Sequence, residues 1–409
     1  MFSGRVPDVF EPNALSAAVA RKRSAGVPLI DLTETNPTRV GLSPSGAEIA
    51  AALAATSPGR YEPDAAGLAS AREAVAAYHG ARGARVAAGR IVLTASTSEA
   101  YAHLFKLLGN PGDAFLVPRP SYPLLEPLAA LESVRLVPYA LHYRGRWTID
   151  LDEVAAAAPS ARGLITVHPN NPTGSFVSLE EAAALEEICA RAGIALIADE
   201  VFGDFAFEDA GPHCRTFAGA AAARAGTGAA AAPGRAGTSE GAVSGPLTFV
   251  LSGLSKTAGL PQMKLAWILC TGPDETVAAA LARLEWIADA FLSVSTPVQA
   301  AAARLLALAP AFQERTRERT RANHAELAEA ARRRPEFELL KVEGGWSAVL
   351  RVPRVRSEDD WALALLERGV LVHPGHFYDF DDEAYLVVSL LPPADVFAEG
   401  IARIAALVE

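Results

Sequence analysis

Residues 162–202 read RGLITVHPNNPTGSFVSLEEAAALEEICARAGIALIADEVF. The stretch opens on a short apolar run, RGLITVHP, and passes through a turn-forming cluster, NNPTG. It continues as an alanine- and glutamate-rich segment with helical spacing and ends on a second apolar run, IALIADEVF. Strand, helix, strand is the unit of a parallel sheet, whose neighbouring strands need a long crossover that a helix supplies. The same alternation continues on both sides, with RIVLTA and AFLVP before the stretch, LTFVLSG after it, and helical segments such as LASAREAVAAYH between strands. The fold class expected is therefore α/β, a mostly parallel sheet covered by helices on both faces. Polar or glycine-containing clusters follow several strands, at ASTSEA, HPNNPTG and DEVFGDF. In an open α/β sheet the ligand crevice lies beyond the carboxyl ends of the strands, so these clusters are expected to converge on one pocket.

From about Glu275 the texture changes to long helical patterns, then to strands such as FELLKVEGGWSAVLRVP and YLVVSLLPP, and last to a helix, ADVFAEGIARIAALVE. The division expected is an N-terminal segment (1–35) packing on a small domain, a large domain (36–275) and a smaller α+β domain (276–409). Residues 211–245 are of low complexity, cannot bury enough apolar surface to fold alone, and read as a flexible surface insertion.

Composition narrows the function. The 409 residues are half hydrophobic, which suits a globular chain of two domains, and the formal net charge is −10. An acidic balance without a Lys/Arg-dense stripe or a nucleic-acid motif argues against a nucleic-acid partner. The N-terminal stretch has no basic leader followed by an apolar core, and no apolar run is long enough to span a bilayer, so no membrane role is expected. Cys189, Cys214 and Cys270 lack metal-ligand spacing; together with the missing leader they suggest a reduced, cytoplasmic setting and no metal.

Three features carry chemistry. Lys256 lies in VLSGLSKTAGLPQMKLAW (250–267) among small and apolar residues, although a lysine is costly to bury as a cation. Asp199 ends the apolar run IALIAD, where a buried carboxylate needs a cationic partner. Asn171 offers an amide in the NNPTG turn. A buried lysine amine forms Schiff bases with carbonyls, and a carboxylate facing a pyridinium nitrogen is what pyridoxal phosphate chemistry requires. Taken singly, Lys256 reads as a surface lysine, Asp199 as a helix cap or a satisfied core acid, and NNPTG as a plain turn.

The ordered set reads differently. YEPDAAG, LTASTSEA, PRPSYP, HPNNPTG, ADEVF, SGLSKTAGLPQMKLAW and GVLVHPG, in that order and spacing, resemble the fold type I pyridoxal-phosphate aminotransferases of the class I/II, aspartate aminotransferase-like family over nearly the whole chain. The resemblance implies a seven-stranded, mostly parallel sheet in the large domain, pyridoxal 5'-phosphate as cofactor, and a homodimer. It implies that Lys256 forms the Schiff base and moves the proton at the substrate α-carbon, and that Asp199 keeps the ring nitrogen protonated. Asn171 would bond the phenolic oxygen and Tyr122 would stack on the ring. Ser96, Thr97 and Ser98 would take the phosphate at a helix N-terminus, joined by Ser255, Lys264 and, from the other subunit, Tyr61. The activity implied is amino transfer between an amino acid or amine and a 2-oxo acid. A carbon–sulfur β-lyase on the same scaffold, or a silent cofactor-binding regulatory protein, are the alternatives.

Departures from the family pattern are as informative. Phe202 stands where a tyrosine often donates to the phenolic oxygen, which implies a higher pKa for the lysine Schiff base. Lys264 replaces a more usual arginine, and Gly253 takes the place of a phosphate-binding hydroxyl, with Ser252 displaced by one. Val387, in YLVVS, stands where relatives carry the arginine that grips the substrate carboxylate; Arg39 in ETNPTRVGL is one substitute, and an atypical substrate is another. His373 and His376 receive no catalytic role.

Overall fold

The structure is a computed structural model and describes residues 1–7, 11–55, 59, 61–208, 213–219, 245–382 and 384–408. Most of the low-complexity segment, residues 211, 212 and 220–244, lies outside the described residues; its described part, 213–219, is not the surface insertion expected, because Cys214, Phe217 and Ala218 are apolar enough to be buried in a core of the large sheet.

Strand β1 (Ile30–Asp31) stands apart from the large sheet. That sheet is built from β2 (Ile91–Thr94), β3 (Ala114–Arg119), β4 (Arg135–Tyr143), β5 (Trp147–Ile149), β6 (Ala161–Val167), β7 (Ala195–Asp199), β8 (Thr248–Gly253) and β9 (Ala266–Thr271), in the order β2-β9-β8-β7-β6-β3-β4-β5. β3, β4, β6, β7 and β8 pair in parallel, while β9 runs antiparallel to both β2 and β8. The seven strands expected gain an eighth, because Trp147–Ile149 folds back antiparallel on Leu141–Tyr143 of the edge strand β4.

Both faces of the sheet are buried, which is why its strands read as continuous apolar runs rather than as alternating ones. Strand periodicity sorts their side chains. Leu196 and Ala198 of β7 and Val250 of β8 pack in a core with Leu185 and Cys189. Ala195, Ile197, Phe249 and Leu251 face the opposite core with Tyr101, Leu104 and Phe105 of the helix Thr97–Leu108. Each such Leu, Ile or Phe contributes about 1.5–3 kcal/mol by burial. The sheet is thus clamped on both sides, and the positions of its strand ends are fixed.

The C-terminal part forms a second sheet, from β10 (Glu338–Leu339), β11 (Ser347–Arg351), β13 (His373–Pro374) and β14 (Tyr385–Ser389), in the order β10-β11-β14-β13 and antiparallel throughout. β1 pairs in parallel with β12 (Val370–Leu371), and Leu15, Ala18 and Leu32 share a core with Leu365, Leu386, Val388, Phe397 and Ile401. The two halves meet where the NNPTG turn touches the loop before β11. Gly174 has φ +66°, and a Cβ on it would lie 2.5 Å from the Gly344 carbonyl oxygen. Only glycine permits that approach, through which the amides of Glu343 and Gly344 donate to the Gly174 carbonyl.

Candidate active site

β2, β3, β6, β7 and β8 end at the same edge of the sheet, and the residues that follow them line one cavity of about 390 Å³. Ser96, Thr97 and Ser98 come after β2, Tyr122 after β3 and Asn171 after β6. Asp199 is the last residue of β7, and Ser255 and Lys256 follow β8. Phe202 completes this wall.

Asp199 is 6 % exposed. The Val201 amide donates to its Oδ1 at 3.1 Å and the Tyr101 hydroxyl to its Oδ2 at 3.0 Å. Burial pushes its carboxyl up to about 6, against the pull of those two donors and of the Lys256 charge. Lys256 sits in the short helical turn Leu254–Thr257. Burial lowers its ammonium pKa, and the Asp199 charge opposes the shift. Its Nζ lies 5.1 Å from the ring centre of Trp346 and 5.7 Å from that of Phe202, and it makes no hydrogen bond among the described residues.

The two asparagines of the turn have separate tasks. Asn170 is buried, accepts from the Thr173 hydroxyl at 2.9 Å and donates to the Pro120 carbonyl at 3.3 Å, which holds the turn together. Asn171 faces the cavity, its Oδ1 accepting from the Ser347 hydroxyl at 3.5 Å. Ser96 caps the helix Thr97–Leu108, its Oγ accepting from the Glu99 amide at 3.2 Å. Capping and cavity lining coexist there. Tyr122 is 36 % exposed, and its phenol is raised by burial and by the Asp199 charge.

Two expected residues lie outside this wall. Lys264 has φ +52° after a short 3-10 turn and is exposed; it is not among the residues lining the cavity. Tyr61 is 69 % exposed and belongs to a separate, smaller groove with Glu62 and Leu292. Gly253 lines the cavity, and a Cβ on it would come within 2.7 Å of the Ala266 Cβ, so the close approach of β8 and β9 leaves no room for a hydroxyl-bearing side chain. Ser252 is fully buried, its Oγ 3.3 Å from that of Thr257.

The opposite wall was not foreseen. Thr33 and Thr35 come from the N-terminal segment, and Trp346, Ser347, His373 and Tyr378 from the C-terminal part. His373 Nδ1 is 3.0 Å from the Tyr378 hydroxyl. Burial lowers its imidazole pKa, and Asp31 opposes the shift. Polar residues beside strand ends, the signal that flagged Asn171, also mark Ser347 and His373. Val387 is 2 % exposed, packed with Trp147, Val349 and Tyr378 and paired in register with His373. The Arg39 side chain is 71 % exposed and pairs with Glu34 at 3.2 Å, away from the cavity wall. Lys256 is the one lysine or arginine lining the cavity among the described residues.

The sequence matches the family "Aminotransferase class I and II" over residues 28–396. The chain belongs to that family. It is 30 % identical over 240 residues to the Escherichia coli glutamate-pyruvate aminotransferase AlaA, covering 58 % of this chain and 53 % of the relative. To human tyrosine aminotransferase it is 32 % identical over 185 residues, 44 % of this chain and 41 % of that one. These matches span about half the length of the curated relatives or less. The structure of an alanine aminotransferase from Pyrococcus furiosus superposes with a TM-score of 0.84 at 21 % identity, over 100 % of this chain and 99 % of that one, and shares its fold. The fold is fold type I, and the family's cofactor is pyridoxal 5'-phosphate, as the ordered motifs imply. The cavity fits that group. It offers a desolvated amine with no hydrogen-bond partner among the described residues, a buried carboxylate, an amide held by Ser347, and hydroxyls at a helix N-terminus, within the few hundred Å³ usual for cofactor sites.

Proposed function

We propose that this chain is a pyridoxal-phosphate-dependent aminotransferase that moves an amino group between an amino acid or amine and a 2-oxo acid. The observation that carries the reading is the Lys256 amine, without a hydrogen-bond partner among the described residues, in one cavity with the buried carboxylate of Asp199. When bound, pyridoxal phosphate supplies an aldehyde for a lysine amine to condense with and a ring that takes up electrons from a carbon losing its proton.

The chain's residues do the rest. Burial disfavours the Lys256 ammonium, so its Nζ is available both as nucleophile and as the base that takes a proton from the substrate α-carbon and returns one. Asp199 holds a proton at the ring nitrogen. Asn171, its Oδ1 engaged by Ser347 and its Nδ2 without a partner among the described residues, would bond the ring's phenolic oxygen. Tyr122 stacks on the ring. Ser96, Thr97, Ser98 and Ser255 hold the phosphate, partly through the unpaired amides of a helix start. The large domain (36–275) carries these groups, and the small domain (276–409) with the N-terminal segment (1–35) closes the substrate side; a core shared by Leu15, Leu32, Leu365 and Phe397 supports the joining of the two chain ends, whereas Val277, Leu284, Ala301 and Leu305 pack into the cores of the large sheet. On that side Thr33, Thr35, Ser347 and His373 receive the substrate's polar end in place of a guanidinium. Lys264 and Tyr61 complete the phosphate site in a homodimer, Lys264 by swinging inward and Tyr61 from the partner. We assign the protein to the cytoplasm and to amino acid metabolism. No helix among the described residues is long and apolar enough to cross a membrane.

The test is a screen of amino donors against protein loaded with pyridoxal phosphate. The visible band of the lysine-bound cofactor bleaches with a donor and returns with an oxo acid. Borohydride reduction followed by peptide mass mapping places the cofactor on Lys256. Pyruvate and ammonia release without an oxo-acid acceptor would establish the lyase instead, and the absence of any cofactor band would overturn both readings.

A further inference from the structure

We propose that Tyr101 is a positioning residue for Asp199: its hydroxyl fixes the carboxylate through Oδ2 and keeps the negative charge available to the ring nitrogen of the cofactor. This rests on the reading of the cavity as a pyridoxal phosphate site.

Strand parity sets up the contact. Asp199 follows Ala195 and Ile197 at two-residue steps, so its side chain leaves the sheet on the face they share, the face covered by the helix Thr97–Leu108. Tyr101 is on that helix, 2 % exposed, with Phe105 against it at 6.1 Å between ring centres and Phe115 beyond at 4.8 Å from Phe105. The aromatic stack holds the phenol in place, and its oxygen meets Asp199 Oδ2 at 3.0 Å.

The same helix begins at the phosphate end of the cavity. Thr97 and Ser98 precede Tyr101 by four and three residues, so all three share one helix face. One rigid element therefore presents hydroxyls to one end of the ligand and a phenol to the residue at its other end.

The phenol is an obligate donor. Burial first, and then the Asp199 charge, hold its pKa well above the usual phenol range, which favours the protonated, donating form. The carboxylate receives one donor on each oxygen, Val201 N–H on Oδ1 and Tyr101 O–H on Oδ2, which fixes its plane and leaves each oxygen a lone pair. Both bonds favour the ionised carboxylate and reduce its affinity for a proton. With the cofactor bound, Asp199 held in this way would leave the shared proton on the ring nitrogen, the state in which the ring accepts electrons. Without the phenol, Oδ2 has no hydrogen-bond partner among the described residues.

The experiment compares cofactor affinity in wild type, Tyr101→Phe and Leu284→Ala. Each is titrated with pyridoxal phosphate and with the analogue whose ring nitrogen is replaced by C–H. Loss of a hydrogen bond to a charged group predicts roughly 10- to 100-fold weaker binding of pyridoxal phosphate by Tyr101→Phe. Affinity for the analogue is expected to stay within about twofold of wild type, because no ring nitrogen remains for the carboxylate to hold. Leu284→Ala disturbs the same core from the helix Asp274–Asp289, outside the aromatic stack, and is expected to shift both ligands alike. If Tyr101→Phe weakens both ligands equally, or neither, the inference is wrong while the cofactor reading stands. If wild type binds no pyridoxal phosphate, both are wrong. Should Tyr101→Phe not fold, 3-fluorotyrosine at position 101 is a stronger donor of nearly the same size. It is expected to lower the carboxyl titration of Asp199, followed by infrared spectroscopy, and an unmoved titration would likewise overturn the inference.

Discussion

Asp199→Asn should make the cofactor-free protein more stable at alkaline pH while damaging the function that Asp199 serves. Burial raises the carboxyl from 3.8 to about 6 on folding. A group whose folded pKa is raised in this way is an acid that the folded state prefers protonated. Its penalty is absent well below pH 4, grows between about pH 4 and 6, and is complete above 6, where it reaches roughly 3 kcal/mol. Asparagine removes the charge but has one carbonyl oxygen, so it accepts from Val201 or from Tyr101 and not from both. The lost bond costs about 1 kcal/mol. The net expectation is a variant stabilised by about 2 kcal/mol at pH 8 and matched to wild type near pH 4.5, where the remaining penalty and the lost bond cancel. Urea unfolding of both proteins in parallel at the two pH values, followed by tryptophan fluorescence, measures this. A variant less stable than wild type at pH 8, or a difference that ignores pH, would show that Asp199 is not held at a desolvation cost. Loaded with pyridoxal phosphate the order should reverse, since only the carboxylate stabilises a protonated ring nitrogen.

Three further outcomes are expected. Phe202→Tyr restores a donor beside the phenolic oxygen, and a spectroscopic pH titration of the lysine-bound cofactor should move down by about one to two pH units; no movement would sink the argument from Phe202. Gly174→Ala places a Cβ 2.5 Å from the Gly344 carbonyl and 2.6 Å from Val342 Cγ1 at φ +66°, so thermal unfolding should report a loss of at least about 1–3 kcal/mol; an unchanged melting temperature counts against the close contact. Arg39 is an exposed partner of Glu34, so Arg39→Ala should change KM for an amino donor by no more than about twofold. A much larger loss, specific to an amino acid over its decarboxylated amine, would return the carboxylate grip to Arg39.

The cofactor side of the cavity was legible because the sheet writes it into the sequence. A strand buried on both faces must be apolar, so an acid at its last position, Asp199 after IALIA, stands out. Lys256 stands out for the same reason after the fully buried β8. Asn171 could be told from Asn170 only through the motif, since both suit a turn, and the structure separates them by what each bonds. Tyr101 carried no signal as a lone tyrosine on a helix. Its role needs two periodicities at once, the parity of β7 and the four-residue spacing from Thr97, together with knowledge of which helix covers which face. Lys264 was read from its place in the motif, yet a left-handed backbone on an exposed turn aims it elsewhere in the single chain.

The substrate side resisted reading for a different reason. Thr33 and Thr35 precede the large sheet, whereas Trp346, Ser347, His373 and Tyr378 follow it, and only the packing of β1 on β12 and the Gly174–Gly344 contact bring them over the strand ends. No local pattern encodes such a meeting. The two walls therefore divide the labour by origin. On the proposed reading, the groups that would act on the cofactor sit at the ends of a sheet clamped by two cores, where positions are fixed as closely as proton transfer requires. Groups that meet the substrate sit on elements joined to that sheet through a turn. On the same reading, Val387 in place of a guanidinium, with His373 paired beside it, would alter what is bound without disturbing Lys256 or Asp199. On the proposed reading, such an enzyme would change its substrate by substitutions at positions such as Ser347 and His373 while Lys256 and Asp199 keep their places on the large sheet.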